Sequence, residues 1–249
     1  MSHALDDARY LLALANRIVA HEGVLDGFGH ISIRHPADPE RYLLARSRSP
    51  ELIEPSDILE FSLDSKLLTG TSHLPYGECV IHGCIYQARP DVNAVCHHHS
   101  AAILPFCIAG VALEPVNGLG ATMGATVPFW DSRDEFGDTA MVVTTQEQGQ
   151  SLARALGSHA MVLMRRHGAT VVGATLQETV FRTIFSHRSA ELQLRASDCP
   201  CSCVVTTIAV SPNSARLSQN GTVTPMVAPS PLTGSSATPV MQNGRIDAE

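Results

Sequence analysis

Three histidines stand where they could jointly hold a divalent cation: His97 and His99 in the run His97-His98-His99-Ser100, and His167 far downstream in Arg166-His167-Gly168. The first run follows the apolar stretch Asn93-Ala94-Val95-Cys96 and reads as the end of a strand, along which side chains alternate faces. His97 and His99 would then point one way and His98 the other. Two imidazoles from one strand and a third from elsewhere suit Zn, Mn, Fe or Co. They also leave positions open for a substrate, which separates a catalytic site from a structural one. A histidine cluster on a surface strand would share the local pattern, so the accompanying residues matter.

Glu78 is the first of these. In Leu74-Pro75-Tyr76-Gly77-Glu78-Cys79 it precedes Val80, Ile81, Cys84 and Ile85, whose spacing is helical. The spacing predicts a helix with Glu78 in its first turn, where the helix dipole favours a carboxylate. That preference alone would account for an acidic residue here. Beside the imidazoles, the same carboxylate becomes a candidate for chemistry.

The elements that must position these groups alternate in type. Leu5 to His21 carries Leu11, Leu12, Leu14, Ala15, Ile18 and Val19 as an amphipathic first helix. Gly29 to Arg34, Arg41 to Arg46 and Ile58 to Leu63 read as short strands, the last followed by a turn at Asp64-Ser65. The Glu78 helix comes next, then the strand Ala94 to His99. Met161-Val162-Leu163-Met164 and Thr170-Val171-Val172-Gly173 bracket His167, so both histidine groups fall at strand ends. Leu176 to Ala196 predicts a long closing helix. The order implies an α/β sandwich formed by a single domain over residues 1–196.

Residues 197–249 differ in composition, being rich in Ser, Thr, Pro, Gly, Asn and Val with few charges, and predict an irregular tail. Cys203 to Ile208 could add an edge strand there. Cys199, Cys201 and Cys203 lack the second ligand pair that structural zinc wants. Cys79, Cys84, Cys96 and Cys107 lie in apolar stretches and should be free, buried thiols of a reducing compartment. In 249 residues the formal charge is -7 with no basic run, which argues against nucleic acid or an anionic membrane as partner and favours a small molecule. No long apolar window and no basic-then-apolar leader is present, so a cytoplasmic location is expected.

Over roughly Leu5 to Ala196 the chain resembles the class II aldolase/adducin family, also called the fuculose-phosphate aldolase family. The resemblance rests on Gly29-His30-Ile31-Ser32-Ile33-Arg34, on Glu78 with His82 and Tyr86, on His97-His98-His99-Ser100, and on Arg166-His167-Gly168-Ala169 with Val172-Gly173. It implies one divalent metal per subunit held by His97, His99 and His167, with Glu78 as acid/base and, in some states, a further ligand. It also implies a three-layer α/β/α sandwich around a largely antiparallel sheet, and a homotetramer with active sites between subunits.

The departures select a branch. Where sugar-phosphate aldolases of this family grip phosphate with Gly-Asn-Val-Ser, Thr-Pro-Ser-Gly and Ser-Ser segments, this chain has Gly29-His30-Ile31-Ser32, Ala45-Arg46-Ser47-Arg48-Ser49 and Tyr76-Gly77. Arg46 and Arg48 offer planar forks suited to a carboxylate, although phosphate would satisfy them and loop arginines also serve simply as solvated charges. With Tyr86 they are the candidate substrate contacts. The pattern is closest to the family's decarboxylases of hydroxylated aromatic or pyridine dicarboxylates, such as 3,4-dihydroxyphthalate decarboxylase. A metal acting as Lewis acid and template would take up the charge left when carbon dioxide departs. Glu78, His30 or His82 would then return a proton to carbon, unless the two histidines are hydrogen-bonded core residues. Aldol cleavage needs the same metal, but residues 197–249 hold no tyrosine or histidine to act as the base often found near this family's C-terminus. A non-haem iron oxygenase and a non-catalytic adducin-like module are further alternatives.

Overall fold

Helix α1 (Ser2–His21) turns Leu12, Ala15 and Val19 into the core but leaves the apolar Tyr10, Leu11, Leu14 and Ile18 exposed, so only part of the apolar set read from the sequence is buried. The computed structural model describes residues 2–138 and 141–198. After α1 come β1 (His30–Arg34), β2 (Arg41–Ala45) and β3 (Ile58–Ser62), then α2 (Cys79–Ala88), β4 (Ala94–His98) and α3 (Leu104–Ala109). The chain continues through β5 (Phe129–Trp130), α4 (Arg133–Phe136), α5 (Gln146–Leu156), β6 (Met161–Met164), β7 (Gly168–Gly173) and α6 (Leu176–Ser197).

The strands form one seven-stranded sheet in the order β3-β2-β1-β4-β7-β6-β5. All neighbours are antiparallel except the β5–β6 edge pair. Register places His30 opposite His97 and His97 opposite Thr170, so three central strands contribute to one row. Alternation then separates the faces. Ser32 of β1 bonds to His82 and Tyr86 of α2, while α1 and α6 pack against the same central strands and touch each other. Helices α2 and α5 pack closely, with Gly83 lying where a Cβ would meet the Leu63 carbonyl and the Ser65 hydroxyl.

Two expectations are corrected. Glu78 is the N-cap of α2 rather than a residue of its first turn. The chain enters through turn-like bonds, Cys79 N–H to the Tyr76 carbonyl and Ile81 N–H to the Glu78 carbonyl, so regular helix begins at Cys79. Strand β7 starts at Gly168 rather than Thr170, because Gly168 already pairs with Met164 and Ala169 with His98. Cys79, Cys84, Cys96 and Cys107 are buried and free, as expected. Among the described residues no helix is long and apolar enough to cross a membrane. The expectations for the tail, including its cysteine cluster and the Cys203 to Ile208 strand, lie outside the described residues.

Candidate metal centre

β4 delivers His97 from the middle of the sheet, and the chain just beyond it carries His99 back to the same side while His98 is buried on the other. His167 sits in the tight β6–β7 turn, between Arg166 with φ 59° and Gly168, where there is no room for a side chain. A Cβ on Gly168 would meet the His98 carbonyl and lie 3.0 Å from the His99 ring. Glu78 arrives from the α2 N-terminus, where its Oε1 accepts the Val143 N–H at 3.2 Å.

Ligand atoms of Glu78, His97, His99 and His167 all lie within 4.8 Å of one another. His97 Nε2 is 3.0 Å from His99 Nε2 and 3.5 Å from Glu78 Oε2, and His167 Nε2 is 3.3 Å from Glu78 Oε1. Ligands about 2.0 Å from a tetrahedral ion stand about 3.3 Å apart, so this donor set fits a small divalent cation. His97 exposes no side-chain surface, whereas His99 and Glu78 keep 15% and 13%, so solvent reaches the centre from their side.

The electrostatics suit cation binding. Burial lowers the His97 pKa to about 4 despite the neighbouring Glu78 carboxylate, leaving a neutral imidazole with a lone pair at neutral pH. Burial also opposes ionisation of Glu78, but His97 and His167 outweigh it and hold the carboxyl far below the usual range. The outer nitrogens differ in company. His97 Nδ1 is 3.3 Å from Thr170 Oγ1, His99 Nδ1 is 3.1 Å from Asp26 Oδ2, and the buried His167 Nδ1 has no partner among the described residues. Sequence reasoning passed over Asp26, Val143 and Thr170; Asp26-Gly27-Phe28-Gly29 carried a turn signal but nothing that pointed to a metal.

His30 and His82 form a second buried cluster beside the first. His82 Nε2 is 2.7 Å from His30 Nδ1, His82 Nδ1 is 2.6 Å from Ser32 Oγ, and Ser32 Oγ is 2.7 Å from the Tyr86 hydroxyl. The His30 and His97 ring centroids are 5.4 Å apart. Burial lowers the pKa of both His30 and His82, to about 3 for His82, so both are neutral. The His30–His82–Ser32–Tyr86 relay can carry its protons in either direction, since each hydroxyl and each imidazole can donate or accept. With Tyr86 as the first donor, His30 Nε2 carries an N–H, and that buried atom has no partner among the described residues.

Arg46 Nε and Arg48 Nη1 both donate to Asp57, at 2.6 and 2.8 Å, and neither has a hydrogen bond or ion pair with the four-residue cluster. Tyr76 spans the gap: its hydroxyl donates to the Arg48 carbonyl and its ring lies 4.4 Å from that of His30, centroid to centroid. Tyr86 is buried under Arg34, whose guanidinium sits 4.8 Å from the ring centroid.

Residues 11–194 match the Class II Aldolase and Adducin N-terminal domain family. The chain belongs to this family. Among class II aldolase relatives, it is 32% identical over 191 residues to decarboxylase tropJ of Talaromyces stipitatus, with 71% of each chain covered. It is 30% identical over 213 residues to the 3,4-dihydroxyphthalate decarboxylase of Arthrobacter keyseri, covering 79% of this chain and 81% of that one. The solved L-fuculose 1-phosphate aldolase of Glaciozyma antarctica shares the fold, with TM-score 0.66 and 23% identity over 78% of this chain and 74% of that one.

Proposed function

We propose that the chain is a metal-dependent lyase that removes carbon dioxide from a small hydroxylated aromatic dicarboxylate of the phthalate type, or from a related dicarboxylate. The observation that carries this reading is the convergence of three imidazole Nε2 atoms and one carboxylate at a partly open site. Relatives named decarboxylases at 30% and 32% identity favour loss of carbon dioxide over aldehyde release. Bound there, a Zn, Mn, Fe or Co ion would supply Lewis acidity for the charge that develops as the carboxylate departs.

The chain's own residues do the rest. His97, His99 and His167 turn their Nε2 atoms inward. Glu78, ionised in the free site and in contact with two of them, would take up the proton released by the substrate hydroxyl and return it to the carbon that has lost its carboxylate. His30 offers its Nε2–H to a substrate oxygen, with His82, Ser32 and Tyr86 holding that proton in place. The guanidinium groups of Arg46 and Arg48 keep N–H groups beyond those spent on Asp57, and these take the substrate's remote carboxylate. Helices packed against the sheet through both of its faces support a three-layer sandwich. The apolar outer side of α1 supports self-association, with a tetramer as the expected size. A cytoplasmic site of action completes the reading.

A second reading is aldol cleavage, which would use the same donor set. Burial raises the Tyr76 pKa to about 12 and its hydroxyl donates to the Arg48 carbonyl, so Tyr76 does not supply the base that cleavage needs. The test is carbon dioxide release by metal-reconstituted protein from hydroxyphthalates, hydroxypyridine dicarboxylates and carboxymuconate-type enols, with sugar phosphates assayed in parallel for aldehyde. Metal-dependent carbon dioxide release that falls about a hundredfold or more in Glu78→Gln supports the decarboxylase. Aldehyde release in its place selects the aldolase, and a metal-loaded protein inert toward both panels is a binding module.

A further inference from the structure

We infer that Asp26 is a positioning residue of the metal centre, fixing His99 with its proton on Nδ1 and its Nε2 lone pair turned inward, and that tight binding of the ion depends on it. The inference rests on the metal-centre reading above.

Three observations carry it. His99 Nε2 faces the cluster, 3.0 Å from His97 Nε2, so Nδ1 is its outer nitrogen. That nitrogen lies 3.2 and 3.1 Å from the two carboxylate oxygens of Asp26. A carboxylate only accepts, so the Nδ1 proton is specified and the alternative tautomer, which would put hydrogen on Nε2 and block coordination, is disfavoured. The carboxylate is itself held in place: Oδ1 takes the Phe28 and Gly29 N–H groups at 2.9 and 2.8 Å, an arrangement that also feeds the chain into β1. Asp26 is thus set before any ion arrives, and ordering it on binding costs little.

Among the described residues no other ligand has such a partner. Thr170, beside His97, is a neutral hydroxyl that can donate or accept, and its bond to Met164 Sδ gives its proton a competing destination. The His167 Nδ1 has no partner among the described residues. Among the described residues, of the three imidazoles only His99 has its outer nitrogen set against a carboxylate. Asp26 therefore adds an anion to the site without occupying a coordination position. That leaves Glu78 free to exchange a proton while a second carboxylate continues to balance the cation's charge.

Asp26→Asn separates this role from loop support. The Asn Oδ1 can still accept from Phe28 and Gly29, while its NH₂ group replaces Oδ2 opposite His99 and presents a donor to Nδ1. Two measurements follow: ¹⁵N NMR of the histidine tautomers in metal-free protein, and zinc affinity by chelator competition. Wild type is expected to show His99 protonated on Nδ1. In Asp26→Asn that signal should move toward Nε2–H and zinc affinity should fall about ten- to a hundredfold, with a smaller loss in Thr170→Val. Wild-type His99 protonated on Nε2 overturns the inference whether or not the variant folds, and so does wild-type zinc affinity in Asp26→Asn. Wild-type protein that takes up no zinc overturns the metal-centre reading with it, and that outcome is distinct from a variant that binds normally.

Discussion

His82 is enclosed on every side, bonded at both ring nitrogens, and held to a pKa of about 3 chiefly by burial, against an ordinary value near 6.5. Between those values the unfolded chain binds a proton that the native state refuses. Its contribution to stability is therefore complete above about pH 6.5 and is lost as pH falls toward 3, at up to about 1.4 kcal/mol per pH unit. Urea unfolding of metal-free protein at pH 7 and pH 5 should show a clear drop, and His82→Gln should flatten it; equal slopes in the two proteins would refute this. Gly168 offers a second check. Its Cβ site is filled by the His98 carbonyl and the His99 ring, so Gly168→Ala should displace His99 and weaken zinc binding more than it lowers the unfolding midpoint. At this scale the sequence was informative about metal-ligand types, because imidazoles two positions apart on a strand share a face. It was silent on Asp26, whose contact with His99 is made by folding, and residue type alone could not disclose that Asp57 engages Arg46 and Arg48.

Between elements, Asp57 is the pin. It joins the β2 end to the 3₁₀ turn before β3 by accepting from Arg46, Arg48 and the Glu54 N–H. Burial opposes its ionisation, but these donors hold the Asp57 pKa below the ordinary carboxylate value. Asp57→Ala should cost about 2 kcal/mol, discounted for the partial exposure of both arginines, as read by chemical denaturation. Arg46→Lys separates the two roles of the fork: a raised KM with near-normal stability supports carboxylate recognition, while lost stability with unchanged KM makes the residue structural. Helices α1 and α6 were legible because their apolar positions recur over several turns, and α2 from the spacing of Val80, Ile81, Cys84 and Ile85, although it is buried all round. Helix α3 has six residues and β5 two, too short for a period, and β5 exists through its pairing with β6. Helix α5 did announce itself, in the Thr145 to Gln148 capping box, a signal that the apolar pattern overshadowed.

For the whole chain, residues 1–196 should fold without the remainder. A version ending at Ala196 is expected to be soluble and to bind one zinc per chain; aggregation or metal-free protein would show the tail to be part of the domain. Light scattering should give a tetramer mass, and Leu14→Glu on the outer side of α1 should shift it downward if that side is the contact. The α/β class could be read from the alternation of elements, but the order of the sheet could not. β1 lies beside β4 rather than only beside β2, and β4 beside β7, pairings between distant segments that local pattern does not encode.

Those distant pairings bear on the order of folding events. The putting together of β1, β4 and β7 closes long loops, a slow step whose entropy is spent before the contacts reward it. Glu78, His97, His99 and His167 acquire a common centre only once that closure is complete. An ion would therefore arrive after the rate-limiting barrier, leaving the refolding rate nearly unchanged while slowing unfolding, so metal would act as a kinetic clasp on a finished sheet.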